Sequence, residues 1–207
     1  ATPMEQNLKL RTNSGKELKD EKTYRTLVGS LIYLTITRPD ISFPVGVVSQ
    51  FMQKPRKPHL DVAKRILRYL KNTMNYGLMY KQSAEVLLTG FTDADWAGDP
   101  SSRRSTSGYF FDLGSAVISW CSKKQATIAL SSTEAEYNAA TLAAQECVWL
   151  TRLIKDISHA SMQPVELYCD NMSSIRLASN PVFHARTKHI EMHYHFIWEK
   201  VLQEEID

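Results

Sequence analysis

The feature that most constrains this chain is a change of period in its apolar residues near Gly77. Before it, apolar side chains recur at three- and four-residue spacing: Leu27, Val28, Leu31, Ile32 and Leu34, then Val62, Ala63, Ile66, Leu67 and Leu70. Such a stripe belongs to helices packed on one side. Arg38-Pro39-Asp40 and the Pro-rich run 54–58 interrupt the pattern, because proline disfavours helix in the residue before it. Three helices are thus predicted, over about 24–34, 41–52 and 59–71. After Gly77, short runs bounded by turn residues read as strands at 86–92, 108–113 and 117–121, the last two joined by Gly114-Ser115. Ser131-Ser132-Thr133-Glu134 has capping-box spacing and opens a long helix to about Ile157. A fourth strand at 165–169, a short helix at 172–178 and a helical stretch at 187–205 follow. The expected organisation is a polar linker at 1–22, a helical part at 23–82 and an α/β part at 83–207.

Composition narrows the function classes. With 43% hydrophobic and 23% charged residues among 207, the chain has enough apolar material for a core and is not disordered as a whole. A net charge of +3 does not by itself announce a nucleic-acid binder, so the case rests on where the charges sit. Cys121, Cys147 and Cys169 form no C-x-x-C pair and suggest neither a disulfide framework nor a structural zinc knuckle. They point to a reducing, intracellular location, cytoplasmic or nuclear. No apolar run is long enough to span a bilayer, and no signal-peptide pattern opens the chain, so no membrane partner is expected. The chain reads as a segment of something longer.

Acidic residues carry the chemistry. Asp93 closes the first strand and Asp170 closes the fourth, so neighbouring strands would bring both carboxylates to one sheet edge. Carboxylates gathered there repel one another unless a hard divalent cation lies between them. On the long helix, Glu136 heads the apolar line Ala140, Ala143, Cys147, Leu150, Ile154 and Ile157, whereas Glu134 heads Asn138, Thr141, Gln145 and Arg152. Glu136 is therefore the expected third ligand and Glu134 a solvent-facing residue. Lys64, Arg65, Arg68 and Lys71 form a basic ridge on the third helix, which reads either as a solvated face or as one that lies on a phosphate backbone. Trp96, Trp120 and Trp149 are read as core residues, and Cys169 as a small buried hydrophobe. His189 and His193 are four apart, but His-Ile-Glu-Met-His is not H-E-x-x-H, and together with His184 and His195 they are not read as a zinc site.

The runs Phe91-Thr92-Asp93-Ala94-Asp95-Trp96-Ala97-Gly98, Arg103-Arg104-Ser105-Thr106-Ser107-Gly108-Tyr109, Ser131 to Tyr137 and Cys169-Asp170-Asn171 resemble the ribonuclease H domain of copia-type LTR retrotransposon polyproteins. So do Ser179 to His184 and Arg186-Thr187-Lys188-His189-Ile190-Glu191. Upstream, Tyr24 to Thr35, Thr37 to Ile41 and Arg65 to Lys71 resemble the end of the reverse transcriptase in the same polyproteins. The resemblance implies an α/β ribonuclease H-like fold, a mixed sheet flanked by helices, preceded by a helical thumb or connection segment. It implies hydrolysis of the RNA strand of RNA–DNA hybrids with two Mg²⁺ ions, or Mn²⁺, held by Asp93, Glu136 and Asp170. Arg103, Arg104, Lys123, Lys124, Asn171, Arg186 and Lys188, with the basic ridge, would meet the nucleic acid. The family also carries a fourth carboxylate in a late Ala-Asp segment, which these 207 residues do not contain. The alternative expectation is a domesticated fragment that keeps the fold and binds a nucleic acid or a protein partner with little catalysis.

Overall fold

A computed structural model describes residues 2–82, 87–158, 163–179 and 191–207, of which 191–195 by backbone alone. The chain divides into two compact units, Ala1–Met79 with Asp99–Arg103, and Tyr80–Gly98 with Arg104–Asp207.

In the first unit, α1 (Glu21–Leu34), a 3₁₀ turn (Pro39–Ile41), α2 (Ser42–Ser49) and α3 (Lys57–Asn72) enclose one core. Asp20 starts α1 by accepting the Thr23 N–H at 3.0 Å, satisfying a donor that has no partner within the helix. Tyr24, Val28, Leu31, Val45, Val48, Ala63 and Ile66 are nearly or wholly buried, as the helical period requires. Leu67, assigned to the same stripe, is 41% exposed and lies at its edge. Arg38, before the helix-breaking proline, is buried and grips Asp40 through two nitrogens at 2.9 and 2.7 Å. It also donates to Thr73 O and Oγ1 at 3.0 and 2.8 Å, which ties the turn to the end of α3. The first twenty residues, linker-like in composition, run along this unit: Leu10 is buried, Lys57 N donates to Lys16 O at 2.9 Å, and Arg65 pairs with Glu5 at 2.6 Å.

The second unit is α/β. Strands β1 (Leu88–Asp95), β2 (Thr106–Leu113), β3 (Ala116–Lys124) and β4 (Glu166–Cys169) form one mixed sheet in the order β3-β2-β1-β4. β1 pairs antiparallel with β2 and parallel with β4, and β2 pairs antiparallel with β3. The long helix α4 (Ser132–Ser158) crosses from β3 to β4 and packs on β1 and β2; α5 (Met172–Ser179) and α6 (Glu191–Leu202) pack on it. Ala139, Ala143 and Ala144 are fully buried, and such short side chains let α4 approach the sheet closely enough to enclose Phe111 and Tyr137. The buried stripe is wider than the sequence suggested at one end and narrower at the other: Thr141 is buried, while Ile157 is 73% exposed. Val165 pairs in parallel with Ile206, so the last residues line the outer edge of β4.

Candidate metal centre and nucleic-acid interface

The parallel pairing of β1 and β4 positions the acids. Its register runs to Thr92↔Cys169, so the next residues along the two strands are Asp93 and Asp170, both exposed. Glu136, in the second turn of α4, comes to the same point: the Ala94 N–H donates to its carboxylate, and the charges of Asp93 and Asp170 both act on it. Only 7% of Glu136 is exposed, and its Oε2 is buried without a hydrogen-bond partner. Burial first, then the charge of Asp93, pushes its pKa from the ordinary 4.5 up to about 7. A carboxylate buried with an unpartnered oxygen beside two others is costly unless a cation compensates it. An oxygen-donor set of this kind suits Mg²⁺ or Mn²⁺. The residues present therefore fit a divalent ion.

Three details depart from the sequence reading. Glu134 does not face solvent: it is buried, with Oε2 accepting the Leu130 N–H at 2.8 Å while Ser131 Oγ accepts the Glu134 N–H at 3.1 Å. Its carboxylate is spent on holding the start of α4. Cys169 is not merely a small hydrophobe: its sulfur and oxygens of Glu136 and Asp170 all lie within 4.8 Å of one another. Sequence reasoning passed over it because a cysteine beside an aspartate has no ligand spacing of its own. The tryptophans differ as well, since Trp96 and Trp149 are more than half exposed, and the Trp96 indole donates to Ala129 O at 3.2 Å.

The expected nucleic-acid contacts fall in both units. In the second, Thr106↔Lys124 and Ser107↔Lys123 place both lysines at the same end of the sheet as Asp93, which pairs with Gly108. The lysines stand two strands from Asp93, roughly 10 Å away. Lys123 and Arg104 are exposed. Asn171 has another duty: its Oδ1 accepts the N–H groups of Ser173 and Ser174, both at 3.0 Å, as the cap of α5. Asp95, next to the acidic trio, accepts the Thr106 N–H and pins the following loop, where Ala97 has φ +52°. In the first unit, Lys64, Arg68 and Lys71 are exposed along α3, whereas Arg65 is bound to Glu5 and Thr2. Arg103 is exposed at φ +57°. Arg186, Lys188, His184 and His189 lie outside the described residues, as do the side chains of His193 and His195.

The chain is 46% identical over 200 residues to the retrovirus-related Pol polyprotein from transposon RE1 of Arabidopsis thaliana, covering 97% of this chain and 14% of that protein. It is 43% identical over its whole length to the corresponding polyprotein from transposon TNT 1-94 of Nicotiana tabacum, of which it spans 16%. A third similarity, 54% over 129 residues, is to the secreted RxLR effector protein 161 of Plasmopara viticola, covering 62% of this chain and 91% of that one. No family model and no solved structure matches.

Proposed function

The chain belongs to the Pol polyproteins of copia-type retrotransposons, and from that premise we propose that its second unit is a ribonuclease H-like domain that cuts the RNA strand of RNA–DNA hybrids. One observation carries the reading. Asp93, Glu136 and Asp170 converge where two parallel strands end beside α4, and Glu136 keeps a buried oxygen without a partner. Bound Mg²⁺ or Mn²⁺ would supply the Lewis acidity that phosphodiester hydrolysis needs.

The chain's own residues do the rest. Asp93 and Asp170 offer exposed carboxylates at the sheet edge, and Glu136 offers one from the protein side, held by the Ala94 N–H. Arg104 and Lys123 bind backbone phosphates at that end of the sheet, a mode of contact that reads the shape of a hybrid rather than its bases. The first unit corresponds on this reading to the end of the reverse transcriptase, with Lys64, Arg68 and Lys71 as its phosphate-facing cations.

The test is cleavage of a labelled RNA–DNA hybrid by the 207-residue chain with Mg²⁺ or Mn²⁺, beside Asp93→Asn. Metal-dependent cutting that the variant lacks is the expected result. A folded protein that cuts nothing supports the second reading, a repurposed fragment, which the similarity to an effector protein favours because 91% of that protein aligns with this chain.

A further inference from the structure

We propose that Cys169, Glu136 and Asp170 form a site for a soft divalent cation of the zinc or cadmium class. Three observations carry it. The sulfur of Cys169 and carboxylate oxygens of Glu136 and Asp170 lie mutually within 4.8 Å, a spacing that one ion can close with small side-chain adjustments. Glu136 is more than nine-tenths buried, gives a carboxylate oxygen to this cluster, and has its Oε2 without a hydrogen-bond partner. The donor set is mixed, one sulfur and two carboxylates, from α4 and the end of β4.

Donor chemistry separates this ion from Mg²⁺. Hard cations take oxygen ligands and retain water, whereas thiolate selects softer ions. A zinc-class ion bound by Cys169, Glu136 and Asp170 has three protein ligands and an open fourth position. On binding, the Cys169 S–H bond breaks, its proton passes to the buffer, and a sulfur–metal bond forms. The inference deepens the proposed metal centre: Cys169 sets which divalent ions compete for Glu136 and Asp170, so zinc-class ions would occupy the carboxylates without reproducing the hard-ion arrangement.

The test uses the full chain with Cd²⁺ and Mn²⁺ as probes. Cd²⁺ is expected to produce the ultraviolet thiolate-to-cadmium charge-transfer band in the parent protein and in Cys121→Ser, and not in Cys169→Ser. The ratio of Cd²⁺ to Mn²⁺ affinity should fall at least tenfold in Cys169→Ser. Cadmium NMR of the parent protein, which needs no variant, should report a sulfur-containing ligand set. A band that survives Cys169→Ser, equal losses of both ions, or an oxygen-only cadmium signal would overturn the proposal. Mn²⁺ binding without any sulfur–cadmium signal sinks this inference alone. Loss of both sinks the carboxylate metal centre with it.

Discussion

Glu136 and Glu134 are two residues apart on one helix, and their environments give them opposite roles. Folded Glu136 keeps its proton to about pH 7, whereas an unfolded glutamate releases it near 4.5. Its contribution to stability is therefore complete below about 4.5 and is lost as pH rises through 7. In chelator-containing buffer, Glu136→Gln is expected to stabilise the fold near pH 8 by up to about 3 kcal/mol, seen as a raised melting temperature, and to change little near pH 4. Scanning calorimetry at the two pH values checks this, and a destabilised variant at pH 8 would show that the carboxylate is satisfied in a way the structure does not contain. Glu134 is bonded to the Leu130 N–H at 2.8 Å, so Glu134→Ala should cost about 1 kcal/mol. Chemical denaturation measures that loss, and Mn²⁺ titration of the same variant should show an intact site.

At the scale of elements, the centre depends on how β1, β4 and α4 fit together. Gly90 stands on β1 beside Phe111 and Leu167, and a Cβ there would run into Phe111 Cε1 and meet Leu167 Cδ1 at 2.8 Å. Phe111 is fully buried and has no room to retreat. Gly90→Ala should therefore destabilise the sheet unit by about 1–3 kcal/mol and weaken Mn²⁺ binding, because β1 and β4 carry Asp93 and Asp170. An unchanged denaturation midpoint would mean that the sheet yields more easily than its packing indicates. On the other face, Phe91 stacks on Phe110 and Tyr168 at 4.7 and 5.2 Å between ring centres, linking three strands. Such cross-strand pairs were readable only once the register was known, since nothing in the spacing of residues 91, 110 and 168 brings them together.

At the scale of the whole molecule, the described residues form two cores, and they should answer pH in opposite senses. In the helical unit His59 is fully buried, accepts the Arg56 N–H at Nδ1 (3.0 Å) and faces Arg11 O through Nε2 at 3.1 Å. The first bond needs an unprotonated Nδ1, and burial holds the pKa below the ordinary 6.5. Because the folded value is depressed, the stability His59 carries is present above about 6.5 and is lost as pH falls below it. Acidification is thus expected to weaken the helical unit while protonation of Glu136 relieves the metal-free sheet unit. Calorimetry in chelator at about pH 5 and pH 8 should show two transitions whose order or separation shifts between the two conditions. A single transition moving as one would refute the independence of the two cores.

Much of the architecture was legible in the order of residues. The helical period of Val62, Ala63 and Ile66 returns as buried residues on α3, the break at Pro39 returns as a turn, and Ser131 caps α4 as its spacing implied. These features depend on interactions within a few residues, which sequence periodicity records directly. The meeting of Asp93 and Asp170 was legible as a conditional: it followed if their strands were neighbours. What only the tertiary structure decided is whatever depends on distant parts of the chain. The parallel register Thr92↔Cys169 aligns the two aspartates, and Cys169 enters the cluster through that same pairing. Glu134 is buried because Leu130 turns back onto it, Trp96 and Trp149 are more than half exposed, and the polar residues 2–18 lie along helices that follow them by forty residues or more. Periodicity says which face of an element is apolar; only packing says what lies against it.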